Sequence, residues 1–131
     1  MTVVVDASTI VAALVDNGPD GRWAEDQLAR SGRLAAPEIM QTEVANVLRR
    51  AEFAGQIESA IAALAFADLR RLAVDIIPFP LLAPRMWELR HNLSSYDAAY
   101  VAGAEAIGAP VATLDIRLAE APGPTCPFLT P

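Results

Sequence analysis

Four acidic residues stand where a carboxylate could do chemistry: Asp6, Glu43, Asp97 and Asp115. In Val3-Val4-Val5-Asp6-Ala7-Ser8 a run of β-branched residues stops on an acid, and Val111-Ala112-Thr113-Leu114-Asp115 does the same further on. Within Met40-Gln41-Thr42-Glu43-Val44-Ala45-Asn46-Val47, helical spacing puts Met40, Val44, Val47 and Ala51 on one apolar stripe with Glu43 on its border. Asp97 heads a similar stripe formed by Tyr100, Val101 and Ala104. A carboxylate turned toward a core or cleft needs a partner, because leaving it charged and alone is costly.

Each acid alone has a structural use. Asp6 and Asp115 can cap helices, Glu43 can pair with an arginine, and Ser94 with Asp97 three residues on mimics a capping box. The set has a different meaning. Four convergent carboxylates repel one another strongly unless they hold divalent cations. Hard oxygen ligands without His or Cys favour Mg²⁺, with Mn²⁺ as a substitute. The only histidine, His91, and the only cysteine, Cys126, cannot build a zinc site or a nucleophilic triad. No glycine-rich phosphate loop is present.

The elements that must position these acids alternate in type. Thr2 to Val5 reads as a buried strand, followed at once by a helix through Ile10, Val11 and Leu14 that stops at Asn17-Gly18-Pro19. Helices are predicted over 20–30, 38–54, 57–72, 84–90 and from Ser94 or Ser95 to Ile107, with a short one opening at Asp115. Strands are predicted over 34–36, 74–79, 111–114 and 128–129. Alternation of this kind gives a three-layer α/β/α domain with a mainly parallel central sheet. In such a sheet, sites form beyond the carboxyl ends of the strands, where Asp6 and Asp115 both fall.

With 131 residues, 53% apolar and 20% charged, the chain has the size and composition of a single globular domain spanning 1–131. No apolar run approaches the roughly 20 residues of a membrane span, and the N-terminus lacks a basic and apolar leader, so a cytoplasmic protein without membrane contact is expected. One cysteine excludes an internal disulfide. A net charge of −6 argues against a general basic nucleic-acid grip but leaves room for a site where metal ions supply the positive charge. All basic residues are arginines.

The ordered motifs Val3-Val4-Val5-Asp6-Ala7-Ser8, Glu43-Val44-Ala45-Asn46, Leu93-Ser94-Ser95-Tyr96-Asp97-Ala98-Ala99-Tyr100-Val101 and Ala112-Thr113-Leu114-Asp115-Ile116-Arg117-Leu118 resemble those of PIN-domain ribonucleases of the VapC toxin type. The resemblance runs over almost the whole chain. It implies an endoribonuclease dependent on Mg²⁺ or Mn²⁺, with Asp6, Glu43, Asp97 and Asp115 as the acidic quartet. It further implies Ser8, Asn46 and Thr113 as supporting polar residues, Arg117 near substrate phosphate, a homodimer, and a VapB-type antitoxin that neutralises the toxin. Phe53, Phe66, Trp87 and Leu89 lie on helices where some can be left exposed as an antitoxin groove. Two alternatives are weaker. A haloacid-dehalogenase-type phosphatase would want an acid where Ser8 stands, and a lysine. A catalytically inactive PIN-like RNA-binding or regulatory module would be expected to have lost part of the quartet.

Overall fold

The computed structural model describes residues 1–131. Its elements run β1 (Thr2–Val5), α1 (Ala7–Val15), α2 (Pro19–Arg30), β2 (Arg33–Pro37), α3 (Ile39–Phe53), α4 (Ser59–Arg71), β3 (Val74–Ile77), α5 (Phe79–Glu88), α6 (Ser95–Ile107), β4 (Val111–Ala112), α7 (Ile116–Glu120) and β5 (Phe128–Leu129). The five strands form one sheet in the order β3-β2-β1-β4-β5, every pair parallel. The three-layer α/β/α expectation is met, and the sheet is wholly rather than mainly parallel.

Parallel strands are buried on both faces, which is why β1 is an unbroken valine run with Val3, Val4 and Val5 essentially inaccessible. Helices α1 to α4 pack on one another as the chain steps from β1 to β2 to β3, the one-face arrangement that right-handed crossovers give. The chain then returns to the other side of β1, and α5 and α6 cover the opposite face, with α6 packed on β1, β2 and β4. The direction of winding therefore reverses between β1 and β4. Open parallel sheets bind ligands at such a reversal, beyond the carboxyl ends of the strands.

One large core joins the sheet to both helical layers; a smaller one gathers Leu89, Ala98, Val101 and Leu118. Helix α6 is the central pillar. Ala98 to Ala104 are all buried, and Gly103 is tight enough that a Cβ would sit 3.0 Å from the Ile77 side chain. Gly108 ends this helix with a φ of 66°, a left-handed cap that a side chain would disfavour.

Most boundaries shift by one or two residues from the predicted ones, and three of the differences have a visible cause. Strand β3 stops at Ile77 instead of Phe79, and α5 begins at Phe79 instead of residue 84. The cause lies across the sheet: the Glu38 carboxylate accepts the Phe79 amide hydrogen at 2.9 Å, and Pro80 in the first turn needs no helical partner. Pro84 consequently lies inside the helix. Strand β4 is two residues long, because the Leu114 amide turns to Ser8 Oγ at 3.2 Å and the Asp115 amide to Thr113 Oγ1 at 2.9 Å. The apolar stripe of α3 centres on Met40, Val44 and Leu48, with Val47 only half-buried.

Candidate active site

Asp6 leaves β1 and becomes the N-cap of α1. Its Oδ1 accepts the Thr9 amide hydrogen at 3.0 Å and the Ser8 hydroxyl at 2.7 Å, and its Oδ2 accepts the Thr113 hydroxyl. Its own amide donates to Ala112 O at 3.3 Å. The side chain is 5% exposed, so β1, α1 and β4 together hold one carboxylate nearly rigid at the reversal point. Capping and site membership are thus compatible for this residue.

Asp115 caps α7, accepting the amide hydrogens of Arg117 at 3.0 Å and Leu118 at 3.4 Å. Its neighbour Thr113 is fully buried and serves both acids, donating to Asp6 and accepting from the Asp115 amide. Ser8 works in parallel by bonding Asp6 and receiving the Leu114 amide. Thr9, which sequence reasoning passed over, donates its hydroxyl to Ala112 O at 2.8 Å and pins α1 to β4. A threonine three residues after a capping acid carried no visible signal of that role.

Asp97 occupies the first turn of α6, where Ser94 caps its amide at 3.1 Å. Burial raises its pKa, with the charges of Asp115 and then Asp6 adding; Ser94 and Arg117 oppose. Glu43 is half-buried on α3. Burial raises its pKa as well, against a hydrogen bond from Tyr100, with the charges of Asp97 and Asp6 adding. These mutual effects define one electrostatic cluster of four acids. Glu43 has no arginine partner. It accepts instead the Tyr100 hydroxyl at 2.6 Å, a group the sequence reading treated as part of an apolar stripe.

Arg117 is the one cation at the cluster, 96% exposed and 3.9 Å from Asp115 Oδ1. With Asn92, Ser94, Asp97 and Asp115 it lines an open pocket of about 330 Å³. Asn46 is exposed one turn beyond Glu43 and joins none of these hydrogen bonds. No three of the acids stand close enough together to form a ready coordination set. Of the residues considered for an antitoxin groove, Phe53, Phe66 and Trp87 are exposed at 71%, 46% and 68%, while Leu89 belongs to the smaller core. Leu89 is withdrawn from that surface.

A family model for the PIN domain matches residues 3–124. The chain belongs to the PIN-domain family. Within it the chain aligns with VapC proteins over nearly its full length. It is 40% identical over 126 residues to ribonuclease VapC9 of Mycobacterium tuberculosis, covering 96% of this chain and 95% of that one. It is likewise 40% identical over 132 residues to ribonuclease VapC1 of the same species, covering 94% and 92%. Among solved structures, a Pyrobaculum aerophilum protein superposes with a TM-score of 0.70 at 22% identity over 91% of this chain and 78% of that one. VapBC2 from Rickettsia felis, bound to a DNA fragment from its promoter, gives 0.66 at 14% identity over 99% and 98%. These two likenesses establish the PIN fold, and the recognition drawn from the motifs holds. No helix is long and apolar enough to cross a membrane.

Proposed function

We propose that this PIN-domain protein is a divalent-metal-dependent endoribonuclease, the toxin of a toxin–antitoxin pair, acting in the cytoplasm on cellular RNA and thereby halting translation and growth. The observation that carries the reading is the clustering of Asp6, Glu43, Asp97 and Asp115 at the reversal point of the sheet, with only the solvent-exposed Arg117 to offset them. The 40% identity to proteins named ribonucleases, over almost the whole chain, supports RNA as the substrate.

The donor set suits a hard divalent cation: carboxylate oxygens only, with His91 and Cys126 outside the cluster. Asp6, Glu43, Asp97 and Asp115 are the residues that would hold it, drawn together by the cation from the more open spacing they have here. When bound, Mg²⁺ or Mn²⁺ supplies Lewis-acid polarisation of the phosphodiester and a water of lowered pKa. The protein supplies placement. Ser8, Thr9 and Thr113 hold Asp6 in one orientation, and the α7 amides hold Asp115. Arg117 projects from the rim to meet a phosphate oxygen, and the open pocket beside it admits a flexible chain of nucleotides. With a net charge of −6 the rest of the surface adds little attraction, so RNA affinity is concentrated at this site.

The family implies a homodimer and a VapB-type antitoxin, and the exposed Phe53, Phe66 and Trp87 supply apolar area for protein partners. The direct test uses purified protein freed of antitoxin and a structured RNA. Cleavage appears with Mg²⁺ or Mn²⁺, stops in excess EDTA, and is absent in Asp97→Asn. Undiminished cleavage in EDTA, or by that variant, overturns the proposal.

A further inference from the structure

Seven consecutive residues of α6, Ala98 to Ala104, are buried, and Tyr100 brings the only polar side-chain atom among them. A tyrosine 2% exposed in such a setting fills core volume with its ring, which phenylalanine would do equally. The hydroxyl is an addition that must find a partner. It finds Glu43 Oε1, on a helix of the opposite layer, at 2.6 Å. The other acids are oriented by different means: Asp6 by Ser8, Thr9 and Thr113, and Asp115 by two helix amides. Glu43 has a longer and more flexible side chain and this one hydrogen bond. With Oε1 engaged, Oε2 stays free to accept a ligand.

We infer that Tyr100 is a positioning residue whose hydroxyl fixes the Glu43 carboxylate in the orientation that serves the metal site, joining α3 to α6 above the strand ends. The inference rests on the metal-nuclease reading and extends it to a residue outside the acidic motifs. Groups that orient a metal ligand typically contribute 10–100-fold in metal affinity or activity. Tyr100→Phe keeps the ring and deletes the bond.

The test is a double-mutant cycle of Tyr100→Phe and Glu43→Gln, read by calorimetric titration with Mn²⁺ alone and by kcat and KM for RNA cleavage. Tyr100→Phe is expected to weaken Mn²⁺ binding by about 10–100-fold and to lower kcat with little change in KM. In the Glu43→Gln background the same change is expected to add almost nothing, since the tyrosine acts through that carboxylate. Wild-type Mn²⁺ affinity in Tyr100→Phe overturns the inference. So do losses that multiply independently of Glu43 and track a lowered melting temperature, which mark a core residue. Should Tyr100→Phe fail to fold, ultraviolet resonance Raman of the wild type decides: a strong-donor signature that Glu43→Gln weakens supports the bond, and an unchanged spectrum removes it. Failure of the broader reading looks different, because Asp97→Asn would then bind Mn²⁺ and cleave RNA as the wild type does.

Discussion

The Thr113 hydroxyl donates to Asp6 Oδ2 while its oxygen receives the amide hydrogen of Asp115, so one buried threonine links the two acids that leave neighbouring strands. The Asp6 carboxylate is buried, and the Asp115 amide is partly so. Thr113→Val keeps the shape and deletes both bonds, leaving a carboxylate oxygen and an amide without partners. Each orphaned group costs about 1–3 kcal/mol, so a total of about 2–6 kcal/mol is expected. Urea unfolding in EDTA measures it; a loss below about 0.5 kcal/mol would mean that water replaces the hydroxyl at no cost.

Asp6 and Asp97 part company for the same reason. Charge counting alone gives both Asn variants equal relief from repulsion. Asp6, however, accepts three hydrogen bonds in a nearly closed setting, and an amide there cannot accept them all. Asp6→Asn is expected to lose about 1–3 kcal/mol without metal, whereas Asp97→Asn holds or gains stability. Neither is expected to cleave RNA. Equal melting temperatures for the two variants in EDTA would contradict this account.

Much of this arrangement was legible in the chain itself. A valine run ending on Asp6, and a second apolar run ending on Asp115, place acids at strand ends because parallel strands are buried and their exits are not. Helical spacing brought Glu43 and Asp97 inward. What spacing cannot reveal is the partner: Glu43 admitted an arginine as readily as anything else, and its actual partner is a tyrosine 57 positions away. Leu89 and Trp87 are two residues apart on one apolar segment, yet only the packing of Leu118 and Val101 decides that the first is buried and the second exposed. The start of α5 depended on Glu38 from another element, which no local signal near Phe79 contains.

The repulsion within the quartet has a pH signature. Burial, reinforced by neighbouring carboxylates, raises the pKa of both Glu43 and Asp97 in the folded state. An acid whose folded pKa lies above its unfolded one stabilises the fold while protonated. That contribution is complete below the ordinary values, 3.8 for Asp97 and 4.5 for Glu43, and is lost as pH rises through the raised ones. In EDTA the wild type is therefore expected to lose stability relative to Glu43→Gln/Asp97→Asn as pH rises across that window. Unfolding curves for both proteins at a series of pH values check the sign, and a gap that is flat or moves in favour of the wild type defeats it.

The proposed antitoxin surface can be tested apart from the acidic residues. Phe53 lies exposed at the C-terminal end of α3, with Arg49 stacked on its ring at 4.8 Å, and Phe66 lies exposed on α4. Phe53→Asp and Phe66→Asp should leave RNA cleavage unchanged yet make the protein harder to neutralise with its antitoxin. Leu89→Asp, by contrast, buries a charge in the smaller core and should not fold. Inhibition titrations decide the matter; identical antitoxin potency toward wild type and both Phe variants would exclude this face.

Glu43→Gln offers the sharpest separation of a site acid from a structural one. Were Glu43 the buried partner of an arginine, its neutralisation would strand that cation at a cost of about 3–5 kcal/mol. The structure provides no such arginine: its nearest interactions are the Tyr100 hydroxyl, which Gln Oε1 can still accept, and the negative charges of Asp97 and Asp6. Removing the charge therefore relieves repulsion and keeps the hydrogen bond. Melting temperature in EDTA is expected to stay level or rise, while Mn²⁺ affinity and cleavage both fall. A melting curve in EDTA beside a cleavage assay in Mg²⁺ reads both arms, and a destabilised variant that cleaves at the wild-type rate would take Glu43 out of the site.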